Sequence, residues 1–179
     1  MPNIKPFRDY DEHDVINLFA YNYAGTAVQK GTFVKVASGW MSEDEMGFYS
    51  MPGATYPNTQ SQRFGVKARV TAAGSGDNPI GMLLYDVRET DENGELLIYK
   101  PSKAAEMQTT VSGQAVPIIT KGVFLYSGIT NNPDPVGMPW LSVAAGGALT
   151  TGAFPGCPIV GRALGFKDSK GWCLIKVDC

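Results

Sequence analysis

Apolar and polar residues alternate in short runs along most of this chain, and the clearest pair of runs lies within residues 109–129. Residues 115–119 and 123–127 are rich in β-branched, aromatic and large aliphatic side chains, and the polar step Thr120-Lys121-Gly122 separates them. Short runs of this kind, bounded by glycine, are typical of buried strands rather than helices. Since glycine accepts a positive φ, the step predicts a tight hairpin or a sharp corner at the middle of an all-β domain.

The remaining apolar runs are also short, and most end at glycine, proline or asparagine. Alternation is clean at residues 66–72, which predicts a half-buried strand with one solvated face. Asn93-Gly94 stands between two apolar runs and signals a hairpin. Residues 100–108 form the one plausible helical turn, with Ser102 as a candidate N-cap. Further strands are predicted at residues 15–21, 33–36, 79–87 and 95–100, with a closing hairpin at 157–166 and 172–177.

Together these elements predict an all-β fold: a compact antiparallel β-barrel or sandwich, β-tulip-like, with eight to eleven short strands and at most one or two helical turns. We expect residues 1–14 to be an extended arm that becomes ordered only on a partner. Residues 15–179 are expected to form a single β domain with long insertion loops at about 39–65 and 128–157. The predicted core residues are Val34, Val70, Leu83, Ile118, Phe124, Leu164 and Leu174.

Composition narrows the function classes. The chain has 179 residues, of which 44% are hydrophobic and 18% charged, and its net charge is −2. This balance is not that of a disordered chain, and the absence of a basic run argues against nucleic acid as a partner. No apolar stretch is long enough to span a membrane, and the charged start gives no sign of a secretory signal. We expect Cys157, Cys173 and Cys179 to be free thiols in a protein made in a reducing cytoplasm.

Residues 39–65 differ in kind from the rest, because they hold five aromatic residues and three methionines without a strand or helix period. A stretch of this length without secondary structure is usually functional. One interpretation is an Ω-loop folded on its own side chains. The other is a contact surface, since aromatic residues and methionine are enriched at interfaces. The interface candidates are Trp40, Met46, Phe48, Tyr49 and Tyr56.

The sequence contains no recognisable motif of a catalytic, metal-binding or cofactor-binding site. His13 is the only histidine and lies in the charged arm, so a histidine-based nucleophile site is not indicated. The acidic residues between 86 and 95 do not match a calcium loop, because the glycine and the twelfth-position glutamate are misplaced. A carboxylate pair of the glycosidase type stays open, since its spacing is spatial. We predict that the chain is not an enzyme and has no metal or cofactor.

Four segments in order resemble the capsid cement (decoration) proteins of tailed phages. Residues 25–36 (GTAVQKGTFVKV) are similar to the family's G-T-x-V-x-x-G-x-x-V-x-V opening, and residues 79–86 (PIGMLLYD) to its x-I-G-V-A-x-x-D segment. Residues 111–117 resemble the following V-x-G-x-V strand. Residues 146–148, 159–164 and 172–177 resemble the end, V-G-x-A-L followed by V-x-V. The resemblance spans residues 24–177, and residues 39–65 and 131–157 depart from it.

The resemblance implies a virion structural protein with a compact β-barrel or β-tulip fold. Such proteins bind the major capsid protein on the capsid exterior, often as homotrimers, and stabilise the shell against internal pressure. Three modest contacts made together would gain from high effective concentration. Two alternatives stay open. One is a carbohydrate- or receptor-binding β-module of the virion surface, with Trp40 and Trp140 as stacking platforms, and the other is a β-rich enzyme.

Overall fold

The computed structural model of the chain describes residues 2–6, 11–21, 27–38, 68–152 and 156–179. Within these ranges the chain forms fourteen strands, three short 3₁₀ helices and one α-helix, α1 (Pro101–Glu106). The prediction of an all-β fold is confirmed. The described strands already outnumber the eight to eleven predicted. The runs at 15–21 and 79–87 each break into two strands, and further strands form within the stretches expected to be an arm (3–6) and a loop (140–143 and 149–151).

The first six-stranded sheet, sheet I, is antiparallel throughout and has the strand order β1-β10-β14-β13-β11-β12. The predicted closing hairpin is its β13–β14 pair, which is thereby confirmed. A bulge between Leu141 and Ser142 shifts the register where β11 meets β13. The strands of sheet I are β1 (Asn3–Pro6), β10 (Lys121–Ser127), β11 (Trp140–Val143), β12 (Leu149–Thr151), β13 (Ile159–Ala163) and β14 (Trp172–Asp178).

The second six-stranded sheet, sheet II, has the order β2-β9-β6-β4-β5-β3. It is antiparallel except for the pair β3–β5, and a separate parallel pair, β7–β8, lies beside it. Both large sheets are open, with two edge strands each, so the described strands form a sandwich rather than a closed barrel. The remaining strands are β2 (Val15–Ile16), β3 (Ala20–Tyr21), β4 (Phe33–Ser38), β5 (Arg69–Ala72), β6 (Gly81–Leu83), β7 (Asp86–Arg88), β8 (Thr109–Val111) and β9 (Ile118–Ile119).

The hydrophobic core has three parts that follow the layers. The largest lies between sheets I and II and contains side chains from both, among them Phe33, Phe124 and Tyr126. A second part covers the other face of sheet II, because neighbouring residues of a strand point to opposite faces, as Phe33 and Val34 do here. A third, smaller part lies between α1 and β8. Sheet II is therefore packed on both faces.

The stretch at 109–129 is a corner and not a hairpin. β9 belongs to sheet II and β10 to sheet I, and only Thr120 separates them. The chain thus crosses from one layer of the sandwich to the other in a single step. Ile118, Ile119 and Phe124 are fully buried on either side of the corner. Of the two interpretations drawn from the sequence, the structure has the sharp corner.

The prediction for the N-terminal arm is wrong where the structure describes it. Asn3–Pro6 form β1, which pairs with β10, and Ile4 is only 2% exposed in the main core. Glu12–Asp14 form a 3₁₀ turn capped by Asp11, and β2 follows directly. Asn3–Pro6 are extended as expected, but they belong to sheet I without a partner molecule.

Several local predictions also need correction. The loop expected at 128–157 contains β11 and β12, and the strand expected at 95–100 is a 3₁₀ helix at Leu97–Tyr99. The helical turn at 100–108 is confirmed as α1, although its N-cap is Lys100 and not Ser102.

Five of the seven predicted core residues are buried, Val34, Val70, Leu83, Ile118 and Phe124. Leu174 is half-buried and points to the opposite face of its strand from Cys173 and Ile175. Leu164 is 48% exposed, because β13 ends at Ala163. The core prediction is thus wrong for the two residues that lie on the outer side of sheet I.

One buried group predicts a stability effect. Tyr126 is fully buried and meets Phe33 edge to face, with ring centroids 6.5 Å apart. Burial raises the pKa of Tyr126, the nearby Leu149 backbone only partly offsets this, and among the described residues its hydroxyl has no hydrogen-bond partner. We therefore expect Tyr126→Phe to leave the free energy of unfolding unchanged or to raise it by about 1 kcal/mol. Urea denaturation measures this, and a loss above about 1 kcal/mol would show that the hydroxyl is bonded.

The acidic tip at residues 91–95 is a structural turn. The Asp91 carboxylate is buried, accepts the backbone N–H groups of Asn93 and Glu95, and contacts the Lys103 ammonium at 2.5 Å. The Lys103 ammonium lowers the pKa of Asp91, assisted by the Asn93 N–H and by the charge of Lys100 and opposed by desolvation. This carboxylate thus closes the turn and ties it to α1. The turn is flanked by the single antiparallel bridge Thr90–Leu96 and not by the two strands of the predicted hairpin.

This ion pair makes stability depend on pH. Because the pKa of Asp91 is lower in the folded protein than in the unfolded chain, its contribution is complete above about pH 4, the usual aspartate range. It is lost as the pH falls through the folded pKa. We expect the unfolding free energies of the natural protein and of Asp91→Asn to differ at neutral pH and to converge in acid. Parallel curves from pH 7 to pH 2 would contradict this.

Candidate binding face

The outer face of sheet I is the large sheet surface that the described residues leave uncovered. Sheet II is packed on both sides, whereas sheet I contributes only one side to the core. Along β14, Cys173, Ile175 and Val177 are buried, and the alternate residues face outward. The alternation thus gives sheet I one apolar side for packing and one side for solvent or a partner.

The strand register fixes which side chains are neighbours on this face. Trp140 pairs with Arg162, Arg162 with Lys176, and Lys176 with Val123, which makes one row across four strands. A second row runs from Leu174 through Leu125 to Lys5, and the Leu164 N–H donates to the Leu174 carbonyl beside it. We call the surface formed by these rows and Trp172 the outer face. Its residues are Lys5, Val123, Leu125, Trp140, Arg162, Leu164, Trp172, Leu174 and Lys176.

Two tryptophans stand on the outer face, and each carries a cation. The Arg162 guanidinium lies 4.1 Å from the ring centroid of Trp140, and the Lys5 ammonium lies 4.5 Å from that of Trp172. Both distances are within the range of a cation–π contact, which contributes roughly 0.5–1 kcal/mol at an exposed site. The contacts hold four long side chains in place, so the outer face is partly ordered before any partner binds.

A groove of about 550 Å³ lies over one part of this face. Its walls combine an aromatic ring, aliphatic side chains and charged groups of both signs. Gly161 forms part of its floor, where β13 approaches β14 most closely. The lining residues are Trp140, Ile159, Gly161, Arg162, Leu164, Lys176 and Asp178.

The outer face is basic although the chain as a whole is acidic. Four cations point outward from the strands of sheet I, and Asp178 is the outward carboxylate on the same described strands. Lys121 lies 3.7 Å from Asp178 and offsets its charge. Among the described residues, neither Arg162 nor Lys176 forms an ion pair.

The structure does not describe the interface residues that the sequence predicts. Trp40, Met46, Phe48, Tyr49 and Tyr56 all lie outside the described residues, so their role stays a prediction. Sequence reasoning missed Arg162, Lys176 and Trp172. The signal was present at residues 172–178, where tryptophan, leucine and lysine alternate with buried apolar residues.

Other titratable and potentially metal-binding side chains have local structural roles. The side-chain ligand atoms of Asp11, Glu12 and His13 lie within 4.8 Å of one another and are exposed. Asp11 accepts the His13 N–H, and Asp14 accepts the Asp11 N–H, which is a capping box. The His13 ring lies 2.8 Å from Asp11, and this contact lowers the pKa of the Asp11 carboxyl. These side chains therefore cap a turn.

The three cysteines are free thiols, as expected from the sequence. Cys173 is buried in the main core, and burial raises the pKa of its thiol, which donates to the Gly165 carbonyl at 3.0 Å. A thiol in this state is a packing group rather than a nucleophile.

The glycines that carry the family resemblance are packing positions. A Cβ at Gly81 would lie 2.3 Å from the Ile119 carbonyl oxygen, and one at Gly161 would lie 2.2 Å from that of Lys176. Each glycine lets two neighbouring strands approach closely. These two motif glycines therefore bear on the fold, whereas the motif residue Leu164 lies on the outer face.

Comparison of the chain with known protein families, with curated proteins and with solved structures gives no match. The family resemblance therefore rests on the sequence motifs alone. In the described part of the chain, no helix has the length and apolar character needed to cross a membrane.

Proposed function

We propose that this chain is a virion structural protein that binds the outside of a phage capsid and stabilises it as a cement protein. The observation that carries the proposal is the outer face of sheet I, which the described residues leave uncovered and which bears two tryptophan–cation pairs. Tryptophan and arginine are enriched at the centres of protein interfaces. The ordered cement-like motifs on an all-β sandwich add support.

In this proposal the partner is the major capsid protein, and the site is the exterior of the assembled virion. The protein would be made in the host cytoplasm, and its three free thiols fit that origin. A homotrimer is the favoured state, because three linked contacts bind far more tightly than one. Sedimentation velocity of the purified protein measures whether the trimer forms before attachment.

Co-sedimentation with purified empty heads of the same phage tests the function. We expect saturable binding and a higher temperature of head disruption when the protein is present. Heads of an unrelated phage serve as the control. Absence of binding to mature heads would overturn the proposal.

The second candidate is a carbohydrate- or receptor-binding module of the virion surface, and the groove beside Trp140 favours it. An aromatic ring next to Arg162, Lys176 and Asp178 offers both stacking and hydrogen bonding. Against it, Arg162 already covers one face of the Trp140 ring. A glycan array distinguishes the two, since a defined glycan whose binding is lost in Trp140→Ala would favour this candidate.

A further inference from the structure

The arrangement of charge on the outer face indicates what kind of surface it fits. Arg162 and Lys176 are adjacent across β13 and β14, and Lys5 ends the leucine row on β1. The cations thus border an apolar stripe formed by Leu125, Leu164 and Leu174, along one side and at one end. A partner that buries this stripe also meets the three cations, and burying them without partners would be costly. The complementary surface is therefore acidic around an apolar centre.

The position of the Arg162 guanidinium against Trp140 favours binding of a carboxylate. Its Cζ lies 4.1 Å from the centroid of the Trp140 ring, and among the described residues the guanidinium forms no ion pair. An arginine that stacks on an aromatic ring can still bind a carboxylate through two parallel hydrogen bonds. Because the ring already restrains the side chain, less conformational entropy is lost when a partner binds.

A second copy of the chain does not fit the same surface. In a two-fold contact the outer face would meet the same face of the second copy, so its three cations would come close to three more cations. Like charges brought together at an interface disfavour association. Nucleic acid fits less well too, since the apolar stripe occupies the middle of the face, where a phosphate backbone would need cations.

The area of the outer face indicates that several copies of the chain bind together. Five strands spaced about 4.8 Å apart and up to seven residues long span on the order of 19 Å by 23 Å, or roughly 440 Å². A standard interface buries about 800 Å² on each partner. One copy therefore binds weakly through this face, and a firm attachment needs several copies joined to one another.

We infer that the outer face of sheet I is the capsid-binding surface and that it docks onto an acidic protein surface through Arg162, Lys176 and Lys5 around the leucine stripe. The inference rests on the proposed function and adds the surface and the chemistry of its partner. It is separate from the expectation for residues 39–65, which stays a prediction.

The test is binding of charge-reversal variants to purified empty heads at several salt concentrations. Arg162→Glu and Lys176→Glu are each expected to weaken binding at least tenfold. Arg162→Lys should weaken binding less, because lysine keeps the charge but cannot make the two parallel hydrogen bonds of a guanidinium. The control is Lys100→Glu, which makes the same charge change at the N-cap of α1, away from sheet I; because it also removes the ion pair with Glu95, its stability is measured alongside. It should bind within about threefold of the natural protein. Binding of the natural protein should also weaken as salt rises.

The outcomes separate the two proposals. If the natural protein does not bind heads, the proposed function fails. If it binds and both charge reversals bind equally well, the function stands and the inference is overturned. Loss of self-association with head binding intact would make the outer face a contact between copies, which also overturns it. Salt-sensitive binding to duplex DNA that both charge reversals abolish would do the same. Circular dichroism and melting of each variant establish that it is folded.

Discussion

Replacing Ile4 by alanine is expected to lower the free energy of unfolding by about 3 kcal/mol, within the range for large buried aliphatic residues. Ile4 is 2% exposed and lies in the main core opposite Tyr126, although it stands in a four-residue edge strand. A Cβ at Gly31 would lie 2.8 Å from the Ile4 Cγ2, so a side chain at position 31 would collide with Ile4. Urea denaturation measures the effect.

Lys5→Ala is the matched control, because it changes the neighbouring residue on the opposite face of β1. We expect it to cost at most about 1 kcal/mol, the loss of one exposed cation–π contact with Trp172. A variant lacking residues 1–6 should resemble Ile4→Ala and not Lys5→Ala. If both the deletion and Ile4→Ala leave the unfolding curve unchanged, β1 is not part of the fold and the residues form a free arm.

Replacing Gly161 by alanine is expected to destabilise the protein by about 3 kcal/mol or more. The new Cβ would lie 2.2 Å from the Lys176 carbonyl oxygen and 3.3 Å from the Val177 Cα, both of which belong to the backbone of β14. A backbone atom inside a sheet cannot rotate away as a side chain does, so β13 and β14 must separate. The same change would distort the floor of the groove.

Gly165→Ala is the control for this change, since it lies just beyond the same strand. A Cβ there would meet the Leu174 Cβ at 4.0 Å, which is ordinary contact. We expect its unfolding free energy to stay within about 0.5 kcal/mol of the natural protein. Equal stability of Gly161→Ala and Gly165→Ala in thermal and urea unfolding would contradict the close approach of the two strands.

The sequence was informative wherever local pattern and packing agree. Val34, Val70 and Ile118 lie in alternating or apolar runs, and the same runs became buried strands. Thr120-Lys121-Gly122 marked a change of direction, and the structure has a corner between the sheets there. These features depend on neighbours in sequence, which one chain is enough to reveal.

The features that sequence reasoning missed depend on distant pairing. Ile4 is a single apolar residue between polar ones, and only its pairing with Tyr126, far along the chain, makes it core. Trp140 and Arg162 become neighbours because β11 pairs with β13 next to a bulge, and a bulge changes which residues are opposite. Leu164 looked like core, but β13 ends one residue earlier. The set of residues that forms the outer face therefore depends on which residues the paired strands place opposite one another.

A reconstruction of the mature virion by cryo-electron microscopy tests the central claim most directly. The account predicts density for this β-sandwich on the outside of the capsid shell, in several linked copies, with the outer face of sheet I toward the capsid protein. Arg162 and Lys176 should then lie within hydrogen-bond distance of acidic residues of the shell. Absence of the chain from purified virions would contradict the proposed function, and an outer face turned to solvent would contradict the assigned binding surface.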